Sequence, residues 1–434
     1  MDGNIFAILI FIGLLVSLMT LRVAYCIQST IAASLMLLFY LMKDSYLVPD
    51  MLNLDCFLRV EFWCLAENGA GVDWVTLLFL LGMMIMVEGM GESGFFRLIC
   101  MKLAQFVHYN IIGLFFCFLF LSAFLSMFLA GITVILFLTS VTIELARLLK
   151  FDPVPFVLTE IFMANLGGAA TMSGDPPNLI IGTAFHLGFR DFLVHNGLIV
   201  IAASILILPY FYFCFRRTLL DSERKRDKTL RYPNQVIRRW GAFAASVTIF
   251  ALTACLLVSG FPIPLVAMIT AVLTFLTTPS IKRILCRVDW NTLIFFAGLF
   301  IVVDGVERTG VLLCIAEQIA KLGDVSVMIP VILWVSALVS AFVDNIPFAA
   351  TMVPVIRSIA AIQGIDVGSL AWSLSLGTDI GGNATPIGSS ANLIGVAICK
   401  KEKHPISWRI YCKYAIPGTI LTLFVCMIGM FLLH

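Results

Sequence analysis

Long apolar segments recur along the whole chain, and they constrain its fold more than any other feature of the sequence. Most are about 20 residues long, the length that an α-helix needs to cross the hydrocarbon layer of a bilayer. Charged residues make up 12% of the 434 positions, against roughly 25% in soluble domains, so too few charges remain to cover a water-exposed surface. We therefore predict an all-α polytopic membrane protein embedded in the lipid bilayer.

The sequence also repeats itself at polar and glycine positions that apolar composition alone would not preserve. Val-Asp-Trp stands at 72–74 and again at 288–290, and Gly-Gly-Ala-Ala-Thr at 167–171 corresponds to Gly-Gly-Asn-Ala-Thr at 381–385. The matching blocks keep their order and lie about 215 positions apart, which indicates an internal duplication.

A basic segment at 216–239 separates the two copies, 1–215 and 240–434, and nine of its residues are lysine or arginine. We interpret it as a cytoplasmic linker, because positively charged loops stay on the cytoplasmic side, and not as a contact for nucleic acid. The odd number of spans in each half then gives the two halves opposite orientations. Both termini are predicted outside, with the protein in the plasma (inner) membrane.

Each half is predicted to contain five spans, one of them broken, and one re-entrant hairpin. The hairpins occupy 111–149 and 326–362, and the broken helices occupy 153–187 and 367–400. Two inverted-topology repeats of this kind are a recurring architecture of secondary transporters.

Glycine and proline interrupt both broken helices in their middle. Gly167-Gly168 and Pro176-Pro177 interrupt the first, and Gly381-Gly382 and Pro386 interrupt the second. Irregular backbone at membrane depth is tolerated only where it is buried in protein or lines water. The half-helices expose N–H groups suited to an anion and C=O groups suited to sodium. The alternative is that the glycines serve only close helix packing. Two breaks at equivalent places in the two halves favour an ion-binding or substrate-binding site over this alternative.

Polar residues in the two breaks are the candidate substrate ligands. They are Gly168, Thr171, Ser173 and Asn178 in the first half, and Gly382, Asn383, Thr385, Ser389, Ser390 and Asn392 in the second.

Four further residues are candidates for ion coupling. Asp344-Asn345 interrupts the second hairpin near its centre, where a carboxylate is costly unless it meets water, a cation or a partner. Asp175 and Asp379 lie within or just before the two breaks. We predict that Asp344 and Asn345 line a possible sodium site, and we predict no other metal. The alternative for Asp344 is a short polar loop that emerges on the far side of the membrane.

Other acids receive separate interpretations. Glu160 precedes the first break and could face the site. Glu144 precedes Arg147 by three positions, which favours an intrahelical ion pair. Asp304 is expected near the interface or paired with Arg308.

The sequence contains no motif of a catalytic site. His-Glu-x-x-His and Gly-x-Ser-x-Gly are absent, and neither break contains histidine. We therefore predict no enzymatic activity and no cofactor. The leading hypothesis is a secondary transporter that moves a small inorganic or organic ion by alternating access, coupled to sodium or protons. The alternatives are a sodium–proton antiporter and, from another class, a passive ion channel.

Three motifs carry a resemblance to a known family. Gly-Gly-Ala-Ala-Thr-Met-Ser-Gly-Asp-Pro-Pro-Asn (167–178), Asp-Asn-Ile-Pro (344–347) and Gly-Gly-Asn-Ala-Thr-Pro-Ile-Gly-Ser-Ser-Ala-Asn (381–392) resemble the ion-transporter superfamily. The closest likeness is to arsenite permeases, NhaD-type sodium–proton antiporters and the P protein, whose group shares the citrate transporter-like domain. The resemblance implies a homodimer in which a mobile transport domain moves in an elevator-like manner against a scaffold domain.

The chain departs from this family at the tip of the first hairpin. Members of the group usually carry Asp-Asn there as well, whereas this sequence has Ala130-Gly131. The resemblance then implies either that one cation site is lost or that proton coupling through Asp175, Asp344 or Asp379 replaces it.

Overall fold

The computed structural model describes most of the chain. The described residues are 2–20, 24–43, 47–59, 63, 71–225, 240–278, 280–321 and 323–433. Most of the basic linker predicted at 216–239 therefore lies outside the described residues.

Helices account for the described structure of both halves. The first half contains α1 (Asp2–Thr20), α2 (Tyr25–Lys43), α3 (Leu47–Leu52), α4 (Trp74–Ser93), α5 (Phe95–Phe106), α6 (Ile111–Ser126), α7 (Gly131–Leu149), α8 (Val154–Gly168), α9 (Pro176–Phe185) and α10 (Phe189–Lys225). The second half contains α11 (Trp240–Val258), α12 (Ile263–Thr277), α13 (Ile281–Arg287), α14 (Trp290–Glu307), α15 (Val311–Ala320), α16 (Val325–Ser340), α17 (Asn345–Gln363), α18 (Gly368–Gly381), α19 (Ser390–Lys401) and α20 (Trp408–Leu433).

The predicted fold class, an all-α polytopic membrane protein, is confirmed. No strand occurs in the described ranges, and eight of their helices are long and apolar enough to cross a membrane. The helix α10 is longer than the predicted span, and the short helices α3, α5, α13 and α15 are not among the predicted elements. The division into repeats, the inverted relationship of the halves and the re-entrant nature of the hairpins remain predictions.

The repeated Val-Asp-Trp motif starts a helix in each half. Asp73 Oδ1 accepts a hydrogen bond from the Thr76 N–H at 2.9 Å, and Asp289 Oδ1 accepts one from the Thr292 N–H at 3.2 Å. Aspartate is a strong N-cap because its carboxylate satisfies an N–H that the first helical turn leaves unpaired. The two copies of the motif therefore have the same local role, which is to cap a helix.

Each predicted hairpin is a pair of helices joined by a short turn. α6 and α7 meet at the turn 127–130, and α16 and α17 meet at the turn 341–344. The first helix of each pair packs closely on a broken helix, α6 on α8 and α16 on α18. A Cβ atom on Gly167 would lie 2.2 Å from the Ala123 carbonyl oxygen, and one on Gly381 would lie 2.3 Å from Ala337 Cα. Glycine is required there because backbone meets backbone.

The two halves interlock throughout the fold. α4 packs on α12 of the other half, and α14 packs on α2. Glycine again allows the approach, since a Cβ atom on Gly82 would lie 2.6 Å from the Ala267 carbonyl oxygen, and one on Gly298 would lie 2.9 Å from that of Ser29. The hairpin helices also cross over, with α7 against α19 and α17 against α9. Each half therefore buries its surface against the other.

We predict that replacing Gly381 with alanine destabilises the protein, because its methyl group would meet Ala337 backbone that cannot move aside. The expected loss of unfolding free energy is roughly 2–3 kcal/mol. Thermal unfolding in detergent would measure it. Gly13→Ala is the control, since nothing lies within 4 Å of a Cβ atom there. Equal melting temperatures for the two variants would contradict the prediction.

Candidate functional site

The two helix breaks lie against the two hairpin turns. The first break, 169–175, separates α8 from α9, and the second, 382–389, separates α18 from α19 and contains a short 3-10 helix, Gly382–Ala384. The Thr171 hydroxyl donates to the Met127 carbonyl, and the Thr385 hydroxyl donates to the Ala341 carbonyl. Each of these bonds ties one break to the hairpin turn of its own half.

At each break, the side chain of one asparagine donates hydrogen bonds to two backbone carbonyl groups. Asn178 Nδ2 donates to the carbonyl oxygens of Gly168 and Thr171, at 3.1 and 3.2 Å. Asn392 Nδ2 donates to the equivalent oxygens of Gly382 and Thr385, both at 2.8 Å. These carbonyl groups were predicted to bind substrate or sodium. Each carbonyl oxygen keeps a second lone pair, so an ion would share these oxygens with the asparagines.

Three of the predicted ion-coupling residues meet beside the first break. Asn178 Nδ2 also donates to Asp379 Oδ2 at 2.7 Å, which joins the second half to the first. The carboxyl groups of Asp379 and Asp175 are neighbours. Asn345 Nδ2 from the second hairpin turn donates to Asp175 Oδ2 at 2.9 Å. We call Asp175, Asn178, Asn345 and Asp379 the acidic cluster.

Asp344 lies beside this cluster and caps α17. Its Oδ1 accepts from the Ile346 N–H at 3.2 Å, and its Oδ2 accepts from the Ser390 hydroxyl at 3.0 Å. Among the described residues, no lysine, arginine or histidine forms an ion pair with Asp175, Asp344 or Asp379. Asp379 is buried, and a buried carboxyl group that meets other acids without such a partner needs a proton or a cation.

The second break carries a neutral counterpart of the acidic cluster. Asn165 stands where the repeat places Asp379, and its Nδ2 donates to Asn383 Oδ1 and Asn392 Oδ1, both at 2.8 Å. The Ser389 hydroxyl donates to Asn165 Oδ1 at 3.3 Å. Asn165 is therefore central to the predicted second-half ligands, although it was not among them. Its alignment with Asp379 is the signal that could have identified it.

The turn of the first hairpin faces this neutral cluster. A Cβ atom on Gly131 would lie 3.8 Å from Asn165 Oδ1. Ser173 donates to the Met127 carbonyl at 3.1 Å and so contacts the same turn. The small residues at Ala130-Gly131 thus lie beside amides, while Asp344-Asn345 lies beside carboxyl groups.

Two crevices flank the site at opposite ends of α4 and α14. The first, about 460 Å³, we call the Asp344 crevice; its polar lining is Tyr25, Glu88, Thr133, Arg287, Asp289, Asn291, Thr292, Asp344 and Ser390. The second, about 420 Å³, we call the Thr183 crevice; its polar lining is Asp73, Thr183, His186, Asp304, Glu307, Arg308 and Arg357. α4 starts in the Thr183 crevice and α14 ends there, so these two helices run in opposite directions. Only the Asp344 crevice has site residues, Asp344 and Ser390, in its lining.

Bonds across the Thr183 crevice tie its walls together. The Thr183 hydroxyl donates to Asp73 Oδ2 at 2.8 Å, and Arg357 lies 3.8 Å from Glu307. Asp304 pairs with Arg308 at 2.7 Å, as expected from the sequence.

Two expectations for other acids are wrong. Glu144 pairs with Arg97, and Arg147 pairs with Glu402, because α5 and the end of α19 bring closer partners than the helix itself offers. Glu160 is fully buried but accepts from the Thr142 hydroxyl at 2.6 Å instead of facing the site residues. Within the described ranges, no group of three histidine, cysteine or acidic side chains is arranged as a metal site.

We predict that cysteine at Ser390 reacts with a membrane-impermeant methanethiosulfonate reagent from the side of the basic residue Arg287, because both line the Asp344 crevice. Cysteine at Ala184, which is similarly half-buried but lines the Thr183 crevice, is the matched control and should react only from the other side. Mass spectrometry after labelling everted and right-side-out vesicles would measure this. Reaction of both cysteines from the same side would contradict the assignment.

Comparison with known proteins places the chain among transporters. Residues 8–377 match the sequence model of a family described as citrate transporter. A Mycobacterium tuberculosis protein described as an uncharacterized transporter is 32% identical over 360 residues, which cover 81% of this chain and 84% of the relative. The P protein of Mus musculus is 28% identical over 448 residues, covering 83% of this chain and 53% of the relative.

The fold also resembles a solved transporter structure. The crystal structure of the YdaH transporter of Alcanivorax borkumensis matches with a TM-score of 0.59 at 11% identity, covering 94% of this chain and 98% of that one. The resemblance stated from the sequence motifs is confirmed by these matches.

Proposed function

The chain belongs to the citrate transporter family of membrane transporters, and from that premise we propose that it moves a small ion by secondary active transport. The coupling ion is sodium or the proton. One observation carries this proposal: Asp175, Asp344 and Asp379 come from both halves and lie beside two helix breaks without a described basic partner. A bound cation would balance this charge, and its release would make the site unstable.

The helix ends support a division between cation and substrate. α9 begins with Pro176-Pro177, which lack N–H groups, so this end has few donors for an anion. α19 begins with Ser390-Ala391, and no side chain caps it. We propose that an anionic substrate lies at the start of α19, with Ser389, Asn383 and Asn392 nearby, while the coupling cation lies at the acidic cluster and Asp344.

The crevices support alternating access. The Asp344 crevice reaches the site, and the Thr183 crevice does not. An elevator-like movement of the hairpins and broken helices against α2, α4, α12 and α14 would exchange the two openings. We further propose a homodimer in the plasma membrane, with the basic linker in the cytoplasm.

A second candidate is sodium–proton exchange with the cation as substrate. Asp175 lies in the first break and Asp379 lies just before the second, and neither 167–178 nor 381–392 contains lysine, arginine or histidine. This composition suits cation chemistry at the acidic cluster.

A flux assay in everted vesicles would distinguish these candidates. It would compare sodium, lithium, arsenite and di- and tricarboxylates across a pH series, with fluorescence as the readout. Uptake of an anion that requires a sodium or proton gradient supports the first proposal. Cation exchange without an anion supports the second, and flux that follows voltage without a coupled gradient contradicts both.

We predict that Asp344→Asn abolishes the dependence of transport on the coupling-ion gradient while the protein still folds. Asparagine caps a helix about as well as aspartate, so α17 keeps its start. Asp366→Asn is the matched control. Asp366 is exposed, and its carboxylate accepts a hydrogen bond from the N–H of Gly368, the first residue of α18. Full gradient dependence in the Asp344 variant, measured in proteoliposomes, would contradict the coupling role.

A further inference from the structure

Two buried residues outside the predicted site form a hydrogen-bond chain that reaches the acidic cluster. Ser375 on α18 and Asn196 on α10 are both fully buried. Asn196 Nδ2 donates to Ser375 Oγ at 2.9 Å, and the Ser375 hydroxyl donates to Asn178 Oδ1 at 2.6 Å. Asn178 then donates to Asp379. The chain Asn196–Ser375–Asn178–Asp379 crosses between the two halves of the molecule.

Every bond in this chain has a fixed direction. The amide nitrogen of Asn196 can only donate, so the Ser375 oxygen accepts from it and the Ser375 proton passes to Asn178. With its oxygen engaged, Asn178 must turn its NH₂ group toward Gly168, Thr171 and Asp379, whose oxygens share its two hydrogens. A flipped amide would place the Asn178 oxygen against three acceptors, which costs the donor bonds and adds repulsion. Asn196 Nδ2 also donates to the Ala169 carbonyl at 3.2 Å, which anchors the chain to the first break.

The chain determines which oxygen of Asp379 is free. Oδ2 accepts from Asn178, whereas Oδ1 is buried without a hydrogen-bond partner in the described part of the molecule. The charged groups near Asp379 are acids, Asp175 directly and Asp344 beyond it. The side chains of Asp175 and Asp379 lie within hydrogen-bond reach of each other, so the two carboxyl groups need either a shared proton or a bound cation.

The neutral cluster, formed by Asn165, Asn383, Ser389 and Asn392, lacks an equivalent hydrogen-bond chain. The repeat places Ile161 where Ser375 stands, and Asn392 Oδ1 accepts from Asn165 instead. Asn392 bonds both carbonyl groups of its break without a serine neighbour, so this bonding does not require the serine. The additional chain occurs only where the aligned partner is a carboxylate.

We propose that Ser375 and Asn196 are positioning residues that hold Asp379 for the coupling cation. They fix the Asn178 amide, which fixes the carboxylate and leaves Oδ1 free for the ion. The inference rests on the proposed function, because that function assigns Asp379 to cation binding. Loss of the Ser375 hydroxyl removes one buried bond of about 1.4 kcal/mol, which corresponds to a tenfold lower cation affinity.

The test uses labelling of Asp379 by dicyclohexylcarbodiimide, which needs no knowledge of the substrate. The purified full chain is reconstituted in lipid and labelled across a sodium series and a pH series, and the modified peptide is quantified by mass spectrometry. For Ser375→Ala we expect that half-protection of Asp379 from labelling needs about a tenfold higher sodium concentration. If the proton is the coupling ion, the midpoint of labelling in the pH series should move by about one pH unit. Ser373→Ala is the matched control, since Ser373 is equally buried on α18 but bonds only Ser369 of its own helix.

Further variants separate positioning from packing. Ser375→Thr keeps the hydroxyl and should restore the unaltered midpoint to within about twofold. Asn196→Ala keeps Ser375 but removes the hydrogen bond that its oxygen accepts, so it should shift the labelling midpoint in the same direction as Ser375→Ala. This variant provides the test if Ser375→Ala does not fold.

The outcomes distinguish this inference from the proposed function. Equal midpoints in the Ser375→Ala and Ser373→Ala proteins overturn the positioning role while leaving Asp379 as an ion site. Labelling of the unaltered protein that responds to neither sodium nor pH overturns the assignment of Asp379, and with it the proposed function.

Discussion

The structure depends on satisfying the backbone at two helix breaks inside a region where lipid offers no hydrogen bonds. Asn178 and Asn392 meet this requirement by donating to two carbonyl groups each within their own break. Thr171 and Thr385 then tie the breaks to the hairpin turns. The packing of hairpins, breaks and interlocking halves follows, because each break must remain covered by protein.

The two breaks are built from similar residues, but their neighbours differ in charge. Asp379 and its equivalent Asn165 occupy matching places, yet one meets a carboxyl neighbour and the other meets two amides. The hairpin turns follow the same division, with Asp344-Asn345 beside the acids and Ala130-Gly131 beside the amides. Similar structural elements thus carry different charge at the two breaks.

The sequence predicted the features that depend on local chemistry. Apolar length predicted the spans, and glycine and proline predicted breaks where the helices do end, at Gly168 and Gly381. It also predicted the acids that meet at the first break. Contacts between distant segments could not be read in this way. Asn196 and Ser375 are ordinary polar residues in apolar runs, and their importance comes only from packing. The pairing of Glu144 with Arg97 likewise depends on α5, whose pattern was too short to predict a span.

The interlocking of the halves has a consequence for how the protein is made. While the ribosome has produced only the first half, α4 and α2 have been synthesised but their partners α12 and α14 have not. The close glycine contacts at Gly82 and Gly298 can form only after the second half has entered the membrane. Until then, the surfaces of α2 and α4 that pack on the second half remain without their partners in the bilayer. The native arrangement is therefore completed late in biosynthesis. Separately synthesised halves would carry the complementary surfaces needed to assemble with each other.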